Sequence, residues 1–248
     1  MSTSELSITK RRLLGGIAIA AVSLALTACS DAEDKAASAG AQPAVSNETT
    51  ASTTSAEIPK ADRDVDMEAA LKPGPLKEMA LGDPNAPVKV IEYMSMTCPH
   101  CAHFHENTFE AIKTKYVDTG KVYFVLREFP FPQDTASLAA FMLARCTTED
   151  KYFPFVSMFL KQQRTWAAPA DGDVRGAMLQ LSKLGGFTQE TFDACLTNAQ
   201  LAGDVSAVRD RGAQEFGVQS TPTFLINGKA YSGDMSVDSM SALIDSLL

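Results

Sequence analysis

The chain has 248 residues, is 45% apolar and carries a formal net charge of −8. That length and apolar share suffice for one sizeable core with room for a small inserted subdomain. No basic patch accompanies the acidic balance, so nucleic acid is excluded as an expected partner.

The first 28 residues read as a signal peptide. Lys10, Arg11 and Arg12 form a positive region, and Leu13 to Leu26 is an apolar run too short to span a bilayer comfortably. The run ends in Leu26-Thr27-Ala28-Cys29, which resembles a bacterial lipobox, with Cys29 as the lipidated first residue of the mature chain. Ordinary cleavage near Ala28 with a spare cysteine is the alternative. Arg11-Arg12 is similar to a twin-arginine signal, but its flanks match poorly. Residues 29–57 are then anchor site and linker. Ser30 to Glu57 is Ala, Ser, Thr and acid, with Val45 as its one large apolar residue. Such a segment buries too little to offset its ordering entropy and is expected to be a disordered tether of about 30 Å r.m.s. reach. Asn47-Glu48-Thr49 matches a glycosylation sequon and is read as chance in an exported bacterial lipoprotein.

Residues 58–75 are transitional, with a short helix predicted over Asp62 to Leu71. Leu76 to Leu81 is a candidate first strand, and Gly82-Asp83-Pro84-Asn85 a turn. Val88 to Met94 is a β-rich apolar run, predicted as a buried strand. Pro99 suits the first turn of a helix, where its missing N–H costs nothing, and that helix is predicted to run to about Asp118. Lys121 to Phe129 is the next strand. Strand, helix and strand within about 40 residues make a βαβ unit with parallel strands.

From Gln133 to Phe216 the pattern turns helical. Segments are predicted over Ala136 to Cys146, Lys151 to Gln163, Val174 to Leu184, Thr188 to Asn198 and Leu201 to Phe216. Pro154 belongs to the first turn of its helix or kinks it, and Trp166 is assigned to the helical core. Thr223 to Ile226 is a short strand, Asn227-Gly228 a hairpin signal, Lys229 to Tyr231 its partner and Ser236 to Leu248 a last helix. An α/β domain (76–132 and 217–248) is therefore split by an all-helical insertion (133–216).

Export places the five cysteines, Cys29, Cys98, Cys101, Cys146 and Cys195, in a disulfide-permissive setting. If Cys29 carries lipid, four remain. Cys98 and Cys101 are a close pair, which leaves Cys146 to join Cys195; two unpaired buried cysteines are the alternative. A thiol attacks a disulfide as its thiolate. At a strand-to-helix junction, Cys98 meets free backbone N–H groups and the positive end of the helix dipole. Cys101 is placed to close a disulfide with it, and His100 adds a potential charge or donor nearby. Pro99-His100 between the cysteines points toward the oxidising end of dithiol chemistry, because a stabilised thiolate favours the reduced form. A structural disulfide and a zinc ribbon fit poorly, the ribbon for want of a second cysteine pair. Copper(I) is the other candidate, since Met94, Met96, Cys98, His100, Cys101, His103 and His105 crowd one stretch. The histidines, however, project from different helix faces. His103 and His105 are expected to be exposed or partly packed, and no metal or other cofactor is expected.

The stretch Ile91-Glu92-Tyr93-Met94-Ser95-Met96-Thr97-Cys98-Pro99-His100-Cys101-Ala102-His103-Phe104 resembles the DsbA-like branch of the thioredoxin superfamily, and Gly217-Val218-Gln219-Ser220-Thr221-Pro222-Thr223-Phe224-Leu225-Ile226-Asn227-Gly228 is similar to its second signature. The resemblance covers about residues 75–248. It implies a thioredoxin-like fold with an inserted helical subdomain, Cys98 as nucleophile, Cys101 as resolving thiol, Pro222 as a cis-proline and Thr221 as backbone for a bound peptide. It also implies a buried acid, Glu92, beneath the cysteines, able to relay a proton to or from Cys101. His105 departs from relatives that carry acid residues after the motif. A Cys146–Cys195 bond resembles the alphaproteobacterial branch. The expected activity is oxidation of unfolded exported proteins on the periplasmic side of a bacterial envelope, by a lipid-anchored monomer reoxidised by a membrane quinone-linked partner. An isomerase or reductase using the same residues, and a copper-binding envelope protein, are the alternatives.

Overall fold

A computed structural model describes residues 57–248; the expected signal peptide, the expected lipidation site Cys29, the sequon and the expected linker up to residue 56 lie outside the described residues. Six strands form one mixed sheet in the order β1-β6-β5-β3-β4-β2: β1 Arg63–Asp64, β2 Met79–Leu81, β3 Val88–Met94, β4 Val122–Glu128, β5 Thr223–Ile226 and β6 Lys229–Ser232. Only β3 and β4 run parallel, from Val88 opposite Val122 to Met94 opposite Glu128; all other pairings are antiparallel. β3 and β4 are nearly continuous apolar runs because both faces of the sheet are covered. Alternation sends Val90, Met94, Phe124 and Leu126 into the larger core, which the helical insertion shares. Ile91, Tyr93 and Val125 pack on the other face with Phe216 and Leu225. Between β5 and β6, Asn227 (φ 42°) and Gly228 (φ 88°) form the tight hairpin turn that only such residues accept readily.

The helices are α1 Met67–Ala70, α2 Pro99–Asn107, α3 Phe109–Ile112, α4 Thr135–Arg145, α5 Glu149–Lys161, α6 Gln163–Trp166, α7 Val174–Leu184, α8 Gln189–Leu196, α9 Ala199–Phe216 and α10 Val237–Asp245. α4 to α9 are the insertion. Asp134, Asp173, Thr188 and Asn198 cap α4, α7, α8 and α9 with side-chain oxygens, which explains why these boundaries are sharp. Cys146, at the end of α4, is bonded to Cys195 of α8 across 49 residues. Trp166 is buried, and its indole N–H donates to Phe159 O at 2.7 Å.

Four expectations need correction. The short helix expected over Asp62 to Leu71 is confined to Met67–Ala70 behind the Asp66 cap, because Arg63 and Asp64 pair with β6 and the Arg63 guanidinium donates to Phe216 O at 2.8 Å. The single helix from Pro99 to Asp118 breaks at Thr108, whose hydroxyl donates to Met235 O at 2.8 Å, and its end widens to a π-helical turn over Lys113–Val117. Pro154 lies in the second turn of α5, because the helix begins earlier, at Glu149. His105 is buried, for the reason given below.

Candidate active site

β3 delivers the chain into a short loop, Ser95 to Thr97, and α2 starts directly after it. Cys98 is the N-cap residue and Pro99 occupies the first helical position. The two thiols, both free here, differ in burial: Cys98 is half-buried and Cys101 fully buried. Their acidities diverge accordingly. Cys98 falls from 9.0 to about 6, chiefly because the Cys101 thiol donates to its sulfur, against burial and with help from the backbone N–H groups of Cys101 and His100. Burial, the bond to Cys98 and the charge of Glu92 push the Cys101 thiol well up. The His100 and Pro99 side chains are exposed, and His100 meets the Cys98 sulfur through its backbone N–H.

The opposite wall comes from the far end of the sequence. α9 ends at Gly217, whose left-handed φ of 64° turns the chain toward β5. The Thr221–Pro222 bond is cis. In its thiol form Cys98 donates to Thr221 O at 3.1 Å, so the loop carbonyl stands against the reactive sulfur. Pro222 itself is buried and Thr221 partly exposed.

The helical insertion holds the loop in place with groups that sequence reasoning missed. Ser137 accepts from Met96 N at 3.0 Å and meets Ser95 Oγ at 2.9 Å. Asp134 caps α4 with one carboxylate oxygen and accepts from the Thr97 hydroxyl with the other. Gln163 Nε2 donates to Met96 O at 2.8 Å and to Cys98 O at 3.0 Å. The cysteine turn is thus fixed by three insertion residues. Polar side chains in an otherwise apolar helical stretch were the only signal available for them.

Beneath the cysteines lies Glu92, fully buried on β3 and charge-coupled to Cys101. One of its oxygens meets His105 Nε2 at 2.8 Å; the other, Oε1, is buried without a hydrogen-bond partner. His105 follows Cys101 by four residues, so both lie on one face of α2. That contact explains its burial. His103 instead lies at the surface of α2 and pairs with Asp234. Met94 and Met96 are buried, so the sulfur and imidazole groups of this stretch are spread over separate environments. Among the described residues no group of three or more His, Cys, Asp or Glu could hold a metal ion.

The family model described as Thioredoxin matches residues 75–246. The solved structure of Wolbachia pipientis alpha-DsbA1 superimposes with a TM-score of 0.66 at 30% identity, covering 72% of this chain and 94% of that one. The chain belongs to the DsbA-like branch of the thioredoxin superfamily. Among curated proteins, this DsbA-like chain is 34% identical over 172 residues to one from Rickettsia felis named as a protein-disulfide oxidoreductase, covering 69% of this chain and 60% of the relative. It therefore spans about three fifths of the length of the Rickettsia relatives. It is also 27% identical to disulfide bond formation protein D of Bacillus subtilis, over 66% of this chain and 74% of that protein. DsbA-like architecture accounts for the α/β sheet with its helical insertion, and for the two widely separated sequence segments that meet at Cys98. Among the described residues no helix is long and apolar enough to cross a membrane.

Proposed function

We propose that this DsbA-like chain is a thiol–disulfide oxidoreductase working as a dithiol oxidase on unfolded exported proteins. The observation that carries the reading is the split between Cys98, acidic at about 6, and Cys101, held as a buried thiol. A client thiolate attacks Cys98 Sγ of the oxidised pair. The Cys98–Cys101 bond breaks, its electron pair goes to Cys101 Sγ, and Cys101 takes a proton. The client's second thiolate then attacks the client sulfur of the mixed disulfide and expels Cys98. A low pKa makes Cys98 the better leaving group and stabilises the reduced enzyme, and both effects favour giving a disulfide away.

Thr221 offers backbone to an extended client beside Pro222. A groove of about 470 Å³ lined by Pro99, His103, Gln163 and Arg164 opens next to the same turn. Reoxidation is assigned to a membrane quinone-linked partner, and placement to a lipid on Cys29 that tethers a monomer on the periplasmic side through the linker. The test is the equilibrium potential of Cys98–Cys101 against glutathione. A value near or above about −150 mV supports an oxidase, and one near −270 mV makes the protein a reductase. Mass spectrometry of the mature chain, with light scattering of the soluble 57–248 portion beside the full chain, tests the lipid and the monomer.

A further inference from the structure

Cys101 must change protonation in every turn of the cycle, yet it is sealed from water. Where its proton comes from is a separate question from what Cys98 does. Glu92 touches the problem on one side only: it is itself fully buried, and one of its oxygens is occupied by His105. His105 is the residue that reaches outward. It lines a groove of about 680 Å³ between β2, α3 and α5, in which neither Cys98 nor Pro222 takes part. Among the described residues its Nδ1 makes no hydrogen bond, and it is absent from the buried polar atoms lacking partners.

We propose that His105 is the outlet of a proton path running from Cys101 through Glu92 to the groove, separate from the surface where clients meet Cys98. The idea rests on the dithiol reading above and adds a positioning and proton-exchanging residue to it. When a client opens the Cys98–Cys101 bond, Cys101 Sγ leaves with the electron pair and takes a proton that His105 Nε2–H passes through the Glu92 carboxylate, while groove water protonates Nδ1. On reoxidation the flow reverses. The Cys101 thiol gives its proton to Glu92, and the thiolate attacks Cys98 Sγ of the mixed disulfide and expels the partner's sulfur. Glu92 passes the proton to Nε2, and Nδ1–H releases one to water. One proton moves per two-electron step, inward and then outward, so the imidazole returns to its starting tautomer without turning over.

The surroundings suit this. Phe104 and Phe109 pack on the His105 ring at 5.4 and 4.8 Å between centroids and fix its plane. Charged residues of both signs line the groove, among them Glu78, Glu110, Asp150, Lys113 and Lys161. Among the described residues Glu92 from β3 is the carboxylate bonded to the ring. A purely structural Glu–His pair would need neither a buried carboxylate oxygen without a hydrogen-bond partner nor a ring edge at a groove.

The test uses single-turnover resolution of a Cys98–glutathione mixed disulfide by Cys101, across pH 5.5 to 8.5. His105→Gln keeps a donor to Glu92 but cannot pass a proton; it is expected to slow resolution by about tenfold or more and to flatten its pH dependence. Glu92→Gln should slow it similarly, and the double variant no further. His105→Ala leaves a hole open to the groove, where added imidazole should restore the rate. Alkylation of Cys98 should stay at the wild-type rate in all of them. Wild-type resolution rates in His105→Gln, or additive losses in the double variant, overturn the path; so does a Cys98 alkylation rate that falls by the same factor, which would mean a distorted site. If His105→Ala does not fold, His105→Gln decides alone. Absence of any exchange by the wild-type protein would instead sink the dithiol reading.

Discussion

The acidity split at the cysteine pair predicts how the redox potential moves with pH. Below about pH 6 both thiols of the reduced form are protonated, so two protons accompany two electrons and the potential falls by about 59 mV per pH unit. Above that point Cys98 is a thiolate while Cys101 remains a thiol, one proton accompanies two electrons, and the slope halves to about 30 mV per unit. The break belongs near pH 6, and the shallow limb should continue past pH 9, because burial keeps Cys101 protonated. Relative to a site with Cys98 at its ordinary 9.0, the reduced form gains up to about 1.4 kcal/mol at pH 7, equal to about 30 mV. Cys98 is only half-buried, so solvent screening lowers this to roughly 15–30 mV. The sign is fixed by direction: a depressed folded pKa stabilises the reduced fold increasingly from about pH 6 to 9, and the gain is lost as pH falls through 6. Above 9 the raised Cys101 works the other way. The assay is equilibration with glutathione buffers at each pH, acid quenching and mass spectrometry, with thiolate absorbance as a second probe. A uniform slope of about 59 mV per unit up to pH 8 would refute the reasoning.

Cys98→Ser should abolish exchange, whereas Cys101→Ser should accumulate a client mixed disulfide, seen on non-reducing gels. Gln163→Leu removes two donors from the cysteine turn and leaves the Met96 carbonyl buried and unpaired; a stability loss of about 1–3 kcal/mol by urea unfolding is expected, with faster Cys98 alkylation. Replacing Cys146 and Cys195 together by Ala should cost roughly 4 kcal/mol from loop-closure entropy while sparing the redox potential. Gly212→Ala would put a methyl 2.6 Å from the Tyr93 ring, on the far side of the sheet from Cys101. About 1–3 kcal/mol of destabilisation without loss of single-turnover exchange in the folded fraction is the expected result.

The strands at the centre of the sheet were legible because their composition is decided locally. Val88–Met94 and Thr223–Ile226 are short β-rich runs between turn residues, and the structure ends them at those same residues. α7 was legible for a similar reason: Asp173 and Gly185 bracket an amphipathic run. What failed depended on partners remote in sequence. Nothing near Arg63 reveals that β6 will pair with it, and nothing near Thr108 reveals the Met235 carbonyl that breaks the helix. The site divides along the same line. The Cys98 to Cys101 spacing and the Thr221-Pro222 pair declare themselves in short motifs. The clasp from Asp134, Ser137 and Gln163, and the burial of His105 against Glu92, exist only once separate elements have packed.

β5 lies between β3 and β6, yet it is made from residues 223–226, near the end of the chain. A nascent polypeptide emerging N-terminus first therefore displays β3, β4 and both active-site cysteines long before their central neighbour exists. Until then the Thr221 carbonyl is missing from the Cys98 sulfur, and one long edge of β3 stands unpaired. Assembly of this fold is consequently a late, long-range event, slow by its contact order. During that interval the dithiol is chemically present but ungoverned, which exposes the unfinished chain to stray disulfides through its own cysteines.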